Sequence, residues 1–103
     1  MPVYTIHTIA SVAGGLFIQQ VNSGATIEHL CIDSRKILHP VQSLFFALQT
    51  QQRDGHSFIK QCYEKGIRNF IVHHRLNFGL YPEANFILVP DTLKALHQLA
   101  AYH

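Results

Sequence analysis

The sequence predicts an α/β fold in which a single mixed or partly parallel sheet is covered by helices. Short apolar runs that are typical of strands alternate with amphipathic helical segments through the second half of the chain. The run 43–48 is almost wholly apolar, which is typical of a strand buried on both faces. With 103 residues, 48% of them hydrophobic, the chain is expected to form one domain over residues 1–103.

The first half of the chain is expected to contain one helix and three strands. Within residues 7–15 the apolar side chains share one helical face, and a pair of glycines ends the helix. Turn residues at 22–24 and at Pro40 separate the strands that follow. These strands are predicted at 16–18, 27–32 and 43–48.

The second half is expected to contain two strands and two helices. Asp54 and Gly66 are placed to cap the two ends of the first helix, and Asp91 is placed to cap the start of the second. The strands are predicted at 68–72 and 86–89. The apolar stripes that would face the core are Phe58, Ile59, Cys62 and Tyr63 on the first helix, and Leu93, Leu96, Leu99 and Ala100 on the second.

Composition argues against several classes of partner. Charged residues make up 14% of the chain, the formal net charge is +2, and the cations are scattered, so no basic stripe for nucleic acid is expected. No apolar run is long enough to cross a membrane, and the first residues lack the pattern of a signal peptide. We therefore predict a cytoplasmic protein that binds neither nucleic acid nor membrane. Cys31 and Cys62 are predicted to be buried thiols.

The eight histidines raise the question of a metal site. His73 and His74 are adjacent, and on a strand they would face opposite sides of the sheet. The other histidines show none of the short spacings that are typical of zinc ligands. The sequence therefore predicts no metal ligands.

Signatures of catalysis are absent from the sequence. It contains neither a GxxxxGK[ST] phosphate loop nor a GxSxG nucleophile motif. The last predicted helix runs to His103 without a glycine stop, so the chain is expected to be part of a longer protein. We predict that these residues alone are not catalytic.

Five short motifs occur in a fixed order between Ile32 and Leu96. They are Asp33-Ser34-Arg35; Pro40 with Leu44-Phe45-Phe46-Ala47-Leu48; Asp54-Gly55-His56 with Phe58; Gly66 with Asn69-Phe70-Ile71-Val72; and Val89-Pro90-Asp91 with Ala95-Leu96. In order and spacing this set resembles the N-terminal domain of the Mur ligases. Two positions depart from the family pattern, since Val41 and Thr50 stand where the family has glycine.

The resemblance implies a domain that binds the UDP end of a UDP-N-acetylmuramoyl peptide in peptidoglycan synthesis. The motifs are most similar to those of the members that add D-alanyl-D-alanine to the tripeptide, including the form fused to alanine racemase. ATP and Mg²⁺ would be bound by other domains of the same chain, and pyridoxal phosphate by a racemase domain if one follows. Two alternatives stay open: the related ligase that adds the third amino acid, and a regulatory or protein-interaction domain of this fold that binds no nucleotide.

The resemblance also implies which residues contact the UDP group. Ser34 would hydrogen-bond the uracil, and the loop formed by Thr50, Gln51, Gln52 and Arg53 would lie beside the uracil and the diphosphate. Arg35 or Arg53 could bind the diphosphate through its guanidinium group. A structural role is the alternative for Arg35. For Asp33, Asp54, Gly55 and His56 a structural role is the preferred interpretation, with Asp33 in a turn and Asp54 as a helix cap.

Overall fold

The computed structural model describes residues 3–48 and 55–102. The helices in these ranges are α1 (Ile6–Ala13), α2 (Ile59–Glu64) and α3 (Thr92–Tyr102). The strands are β1 (Tyr4–Thr5), β2 (Leu16–Gln19), β3 (Thr26–Ile27), β4 (His29–Cys31), β5 (Ser43–Phe46), β6 (Asn69–Val72) and β7 (Asn85–Leu88). Short 3₁₀ helices occupy Pro40–Gln42, Gly55–Phe58 and Phe78–Leu80.

The main sheet is mixed, as predicted. Its five strands lie in the order β2-β7-β6-β5-β4. Strands β4 to β7 are parallel to one another, and β2 is an outer strand that pairs antiparallel with β7. Every residue of β5 and β6 is buried, so the prediction that these central strands are covered on both faces is confirmed.

Alternation along the strands divides the core into two layers. Leu44, Phe46 and Ile71 point to the face that packs against α1 and α3. Phe45 and Phe70 point to the opposite face, which packs against α2. The side chains that complete the first layer are Ile6, Ile9, Ala10, Ala13, Ile27, Ile87, Val89, Ala95 and Leu99, and those of the second include Ile59, Cys62, Ile67, Val72, Ala84 and Phe86.

Two sequence predictions about these elements are wrong in detail. The predicted strand 27–32 is split at Glu28, whose N–H donates to the carbonyl of Gln42 at 2.9 Å. The part before the split pairs antiparallel with β1 and forms a second, two-stranded sheet, while the part after it joins the main sheet. On α3 the buried stripe is rotated from the predicted one, because Leu93 is 47% exposed whereas Thr92, Ala95 and Leu99 are buried.

The helix ends follow the predicted capping chemistry where they are described. Asp91 Oδ1 accepts hydrogen bonds from the N–H groups of Leu93 and Lys94, which is the N-cap arrangement. Gly66 adopts a φ of 106° just after α2 and ends that helix. Asp54 lies outside the described residues. No helix in the described ranges is long and apolar enough to cross a membrane.

Since β4 to β7 run in the same direction, their ends define two opposite edges of the sheet. We call residues 33–36, 47–48, 55–56, 73–74 and 90–92 the carboxyl edge, because they follow the strands or pack beside their ends. Residues 22–26, 41–42, 68–69 and 83–85 form the amino edge. In open α/β sheets ligands bind beyond the carboxyl ends of the strands. The carboxyl edge is therefore the first place to look for a site.

Candidate functional site

The turn after β4 carries the predicted residues Asp33, Ser34 and Arg35 at the carboxyl edge. Asp33 Oδ1 accepts a hydrogen bond from the Arg35 N–H at 2.9 Å, which closes the turn. The Arg35 side chain then folds back, with Nε 3.1 Å from Oδ1 and Nη2 3.0 Å from Oδ2. These bonds hold the pKa of Asp33 well below its usual range. The turn role considered for Asp33 is thus confirmed.

Arg35 and Ser34 differ sharply in exposure. The Arg35 side chain is 77% exposed, so its guanidinium can meet an anion from solvent although it also contacts Asp33. Ser34 is only 2% exposed. Its hydroxyl donates to Gln61 Oε1 at 3.3 Å, and its carbonyl accepts from Lys65 Nζ at 2.7 Å. Ser34 therefore ties the turn to the end of α2, and a hydroxyl that donates can still accept from a second group.

The predicted loop residues Thr50, Gln51, Gln52 and Arg53 lie outside the described residues. The backbone on either side of them is fixed at the carboxyl edge. The Gly55 N–H donates to the Leu48 carbonyl at 2.6 Å. A Cβ at Gly55 would lie 2.6–2.8 Å from backbone atoms of Ala47 and Leu48, so only glycine fits this approach. The chain thus leaves the sheet and returns to it at one point, next to the Asp33–Arg35 turn on the neighbouring strand.

Three histidines converge at the same edge, contrary to the sequence-based expectation. Strand β6 ends at Val72, so His73 and His74 follow it in a bend instead of alternating across the sheet. His56, from the 3₁₀ helix after Gly55, stacks on His74 with ring centroids 3.9 Å apart and meets His73 at 4.1 Å. The inference that the adjacent pair cannot share an ion assumed a strand, and that assumption is wrong. The spacing between His56 and His73 gave no signal in the sequence.

The two cysteines are buried and free, as predicted. Burial raises the pKa of the Cys31 thiol, and it raises that of Cys62 to about 12. Both side chains pack in the layer beneath α2. A neutral, buried thiol is a poor nucleophile. These residues therefore belong to the core and not to the candidate site.

A cleft of about 400 Å³ lies at the amino edge, which sequence reasoning did not consider. Its floor is formed by Asn69 and Asn85, which are paired across β6 and β7 and are both 1% exposed. Asn85 Oδ1 accepts from the N–H groups of Val21 and Asn22, and Asn85 Nδ2 donates to the Asn22 carbonyl and to Asn69 Oδ1. All four hydrogen-bonding positions of this amide are used, so it serves the fold.

Arg68 at the same cleft is held by several groups as well. Its Nη1 donates to the carbonyls of Tyr63 and Ile67, and its guanidinium lies 4.1 Å from the centre of the Tyr63 ring. Glu83 lies 3.6 Å from its Nε. The side chain of this arginine is 32% exposed and stacked on a ring, whereas that of Arg35 at the carboxyl edge, although paired with Asp33, is 77% exposed. Exposure of the cation therefore makes the carboxyl edge the candidate ligand site.

Comparisons with known proteins agree with this architecture. The family profile described as "Mur ligase family, catalytic domain" matches residues 26–103. The UDP-N-acetylmuramoyl-tripeptide–D-alanyl-D-alanine ligase of Bacillus subtilis is 33% identical over 98 residues, which cover 93% of this chain and 20% of that protein. The UDP-N-acetylmuramoyl-L-alanyl-D-glutamate–2,6-diaminopimelate ligase of Clostridium tetani is 37% identical over 71 residues, or 68% of this chain and 14% of that protein.

A solved structure has the same fold. The structure of UDP-N-acetylmuramoylalanyl-D-glutamyl-2,6-diaminopimelate–D-alanyl-D-alanyl ligase from Acinetobacter baumannii superposes with a TM-score of 0.84 at 25% identity, covering 99% of this chain and 22% of that one. The chain thus spans about a fifth or less of the curated relatives described above. The profile match over residues 26–103 and the agreement in fold lead to one conclusion: this chain belongs to the Mur ligase family.

Proposed function

We propose that this domain binds the UDP end of UDP-N-acetylmuramoyl-tripeptide for a cytoplasmic ligase that adds D-alanyl-D-alanine in peptidoglycan synthesis. The observation that carries the proposal is the meeting of two motifs at the carboxyl edge. The Asp33–Arg35 turn follows β4, and Leu48 and Gly55, which flank residues 49–54, are hydrogen-bonded to each other beyond the end of the neighbouring parallel strand β5. The relatives named for UDP-linked substrates add the chemical identity of the ligand.

The choice of D-alanyl-D-alanine as the added group rests on the extent of the similarity. The Bacillus subtilis ligase of that name aligns with 93% of the chain, whereas the Clostridium tetani diaminopimelate ligase aligns with 68%. The second ligase remains the alternative, because its identity of 37% over the shorter stretch exceeds the 33% of the first. An interaction domain of the same fold would need no nucleotide at all.

The side chains at the carboxyl edge suit the parts of UDP. Uracil presents an N–H donor and carbonyl acceptors, and the Ser34 hydroxyl has an acceptor position for the N–H while it donates to Gln61. Because Ser34 is 2% exposed, this contact requires the turn to uncover the hydroxyl. The exposed guanidinium of Arg35, which is paired with Asp33, is proposed to bind the diphosphate, with Arg53 as its counterpart from the loop. The remaining loop residues proposed as contacts are Thr50, Gln51 and Gln52.

ATP and Mg²⁺ are assigned to other domains of the parent protein. The sequence of this chain has no phosphate loop, so its residues do not fit a nucleoside triphosphate held in that way. Pyridoxal phosphate would enter only with a fused racemase domain. The contribution proposed for these residues is to bind and orient the substrate.

Titration of the ¹⁵N-labelled chain with UDP tests the proposal. We expect shifts of amides around Ser34 and residues 50–53, with a dissociation constant of roughly 0.1–10 mM because the sugar and peptide contacts are missing. Ser34→Ala is expected to weaken binding by about 0.5–1.5 kcal/mol, the net value of one neutral hydrogen bond. Ser11→Ala, an exposed serine of α1, is the matched control and should leave the affinity unchanged.

A second variant separates binding from folding at Ser34. Gln61→Ala removes the hydrogen-bond acceptor of the serine but keeps the hydroxyl. If Ser34 serves only to hold α2, both variants will lower the melting temperature and neither will change UDP binding. That result would remove Ser34 from the proposed contacts. Saturating UDP without any shift at the carboxyl edge would instead leave the interaction-domain function ahead.

A further inference from the structure

We propose that His56, His73 and His74 form a binding site for a first-row divalent transition-metal ion such as Zn²⁺. One ring nitrogen from each of the three lies within 4.8 Å of the other two. Within residues 3–48 and 55–102, this is the only group of three or more potential metal-ligating side chains that converges in this way. Imidazole nitrogen is a preferred ligand of Zn²⁺ and of its neighbours in the first transition row.

The hydrogen bonds around two of the rings show which nitrogen carries the lone pair. His74 Nδ1 lies 3.1 Å from the carbonyl oxygen of Arg75. A carbonyl can only accept, so Nδ1 carries the proton and Nε2 has the lone pair that a metal needs. Metal-binding histidines are commonly oriented by such a bond from the other ring nitrogen to a backbone carbonyl. His74 is therefore held in the tautomer that a metal ligand requires.

His56 has the same tautomer. Its Nε2 accepts a hydrogen bond from the backbone N–H of His73 at 3.2 Å, so this nitrogen also carries a lone pair. A metal at this atom would take the place of that N–H. The structure thus predicts that metal binding is felt directly by the amide of His73.

The ring nitrogens must move closer to each other to hold an ion. Zn–N bonds of about 2.0–2.1 Å bring tetrahedral ligand atoms to roughly 3.3 Å from each other. The rings of His56 and His74 therefore have to give up their stacked arrangement, so that a nitrogen of each can point at the same ion. His74 is exposed and can turn, while His56 and His73 are half-buried and stay near their present positions. A cleft of about 280 Å³ lined by His73, Pro90, Asp91 and Thr92 adjoins the cluster. Three protein ligands leave a fourth position open to water.

A second pair of histidines gives an internal comparison. His29 and His39 stack with their ring centroids 4.9 Å apart and nearly parallel. No third potential ligand joins them among the described residues. If the histidines only stacked on each other, the two clusters would have similar affinities for a metal ion. If the group of three is a metal site, only that group binds an ion tightly.

Calorimetric titration of the 103-residue chain with ZnCl₂ at about pH 7.5, where neutral imidazole prevails, tests the site. We expect one ion per chain, with the affinity lowered at least about tenfold in His74→Gln and in His56→Gln. His29→Gln is the matched control and should bind as the parent does. The amide of His73 should shift in a ¹H–¹⁵N spectrum recorded with the ion, and that shift should be lost in His74→Gln.

The variant His74→Cys tests whether His74→Gln loses affinity only because the substitution disturbs the fold. A thiolate at this exposed position is also a zinc ligand, so the affinity lost in His74→Gln should return. Equal weakening by His29→Gln, or no binding tighter than about 1 mM (about −4 kcal/mol), would overturn the proposal. Because the probe is the metal alone, this result is independent of whether UDP binds.

Discussion

The two edges of the sheet use polar residues in opposite ways. At the amino edge, the side chain of Asn85 uses all four of its hydrogen-bonding positions, and Arg68 is stacked and paired. At the carboxyl edge, Arg35 is 77% exposed although it is paired with Asp33, and three histidines meet in a cluster that includes the exposed His74. The larger of the two clefts described lies at the amino edge. The proposed site and the larger cleft therefore lie at opposite edges, and the substitutions below test which of the two edges binds the ligand.

The largest loss of stability is expected from a substitution of Phe70, which lies in the centre of the sheet between the two edges. This side chain is fully buried and stacks on Phe86 with centroids 5.1 Å apart. Phe70→Ala should lower the free energy of unfolding by about 3–5 kcal/mol, because it leaves a cavity that the layer cannot fill. Leu93→Ala, at the half-exposed position on α3, serves as the control and should cost much less. Chemical denaturation measures both, and a loss under about 1 kcal/mol at Phe70 would contradict the packing.

The amino edge is expected to matter for stability alone. Asn85→Ala removes the donor to Oδ1 of the buried Asn69 and the acceptor of the N–H groups of Val21 and Asn22, which should cost about 1–3 kcal/mol. The UDP-induced amide shifts at the carboxyl edge should persist in the folded variant. Gln98→Ala on the exposed face of α3 is the control for removing an amide. If Asn85→Ala instead abolished the UDP shifts while the chain stayed folded, the assignment of the two edges would be reversed.

The smallest change in free energy is expected from a substitution of Asp33, on the carboxyl edge. Asp33→Asn removes a negative charge and releases Arg35, so UDP affinity should rise about two- to fivefold. The pKa of Asp33 is depressed in the folded chain, so its contribution to stability is present at neutral pH and is lost as the pH falls below the usual carboxyl range. Above that pH range the parent chain should therefore be more stable than Asp33→Asn, and the difference in stability should vanish in acid. Weaker UDP binding in the variant would show that Arg35 needs its carboxylate to be positioned.

Local patterns predicted the three helices and the strands of the main sheet, and non-local pairing decided the rest. The strand in the apolar run 43–48 and the cap at Asp91 depend on neighbouring residues; the cap is confirmed, and the strand is confirmed over Ser43–Phe46. The split at Glu28 depends on a contact with Gln42 and on pairing with β1, which no local pattern encodes. The UDP contacts proposed in the 50–53 loop lie outside the described residues and stay a prediction.

The convergence of histidines was missed for a related reason. His56 and His73 are 17 positions apart, and they meet only because β6 is parallel to β5 and the chain turns beyond its end. Motif searches count positions along the chain, so they cannot register ligands gathered in this way. In contrast, the paired asparagines of the amino edge had a readable signal, since each begins a strand otherwise made of apolar residues.

The backbone contact between Leu48 and Gly55 has a consequence for how this domain could evolve. A single N–H to carbonyl bond of 2.6 Å joins the two points where the chain leaves and rejoins the sheet. The six positions between these points form the connection that this bond closes, and the entropy of closure depends only weakly on their number. Doubling their number would cost only about 0.6 kcal/mol of closure entropy. Relatives can thus differ in the length of this connection at little cost to the hydrogen bond that holds its two ends together.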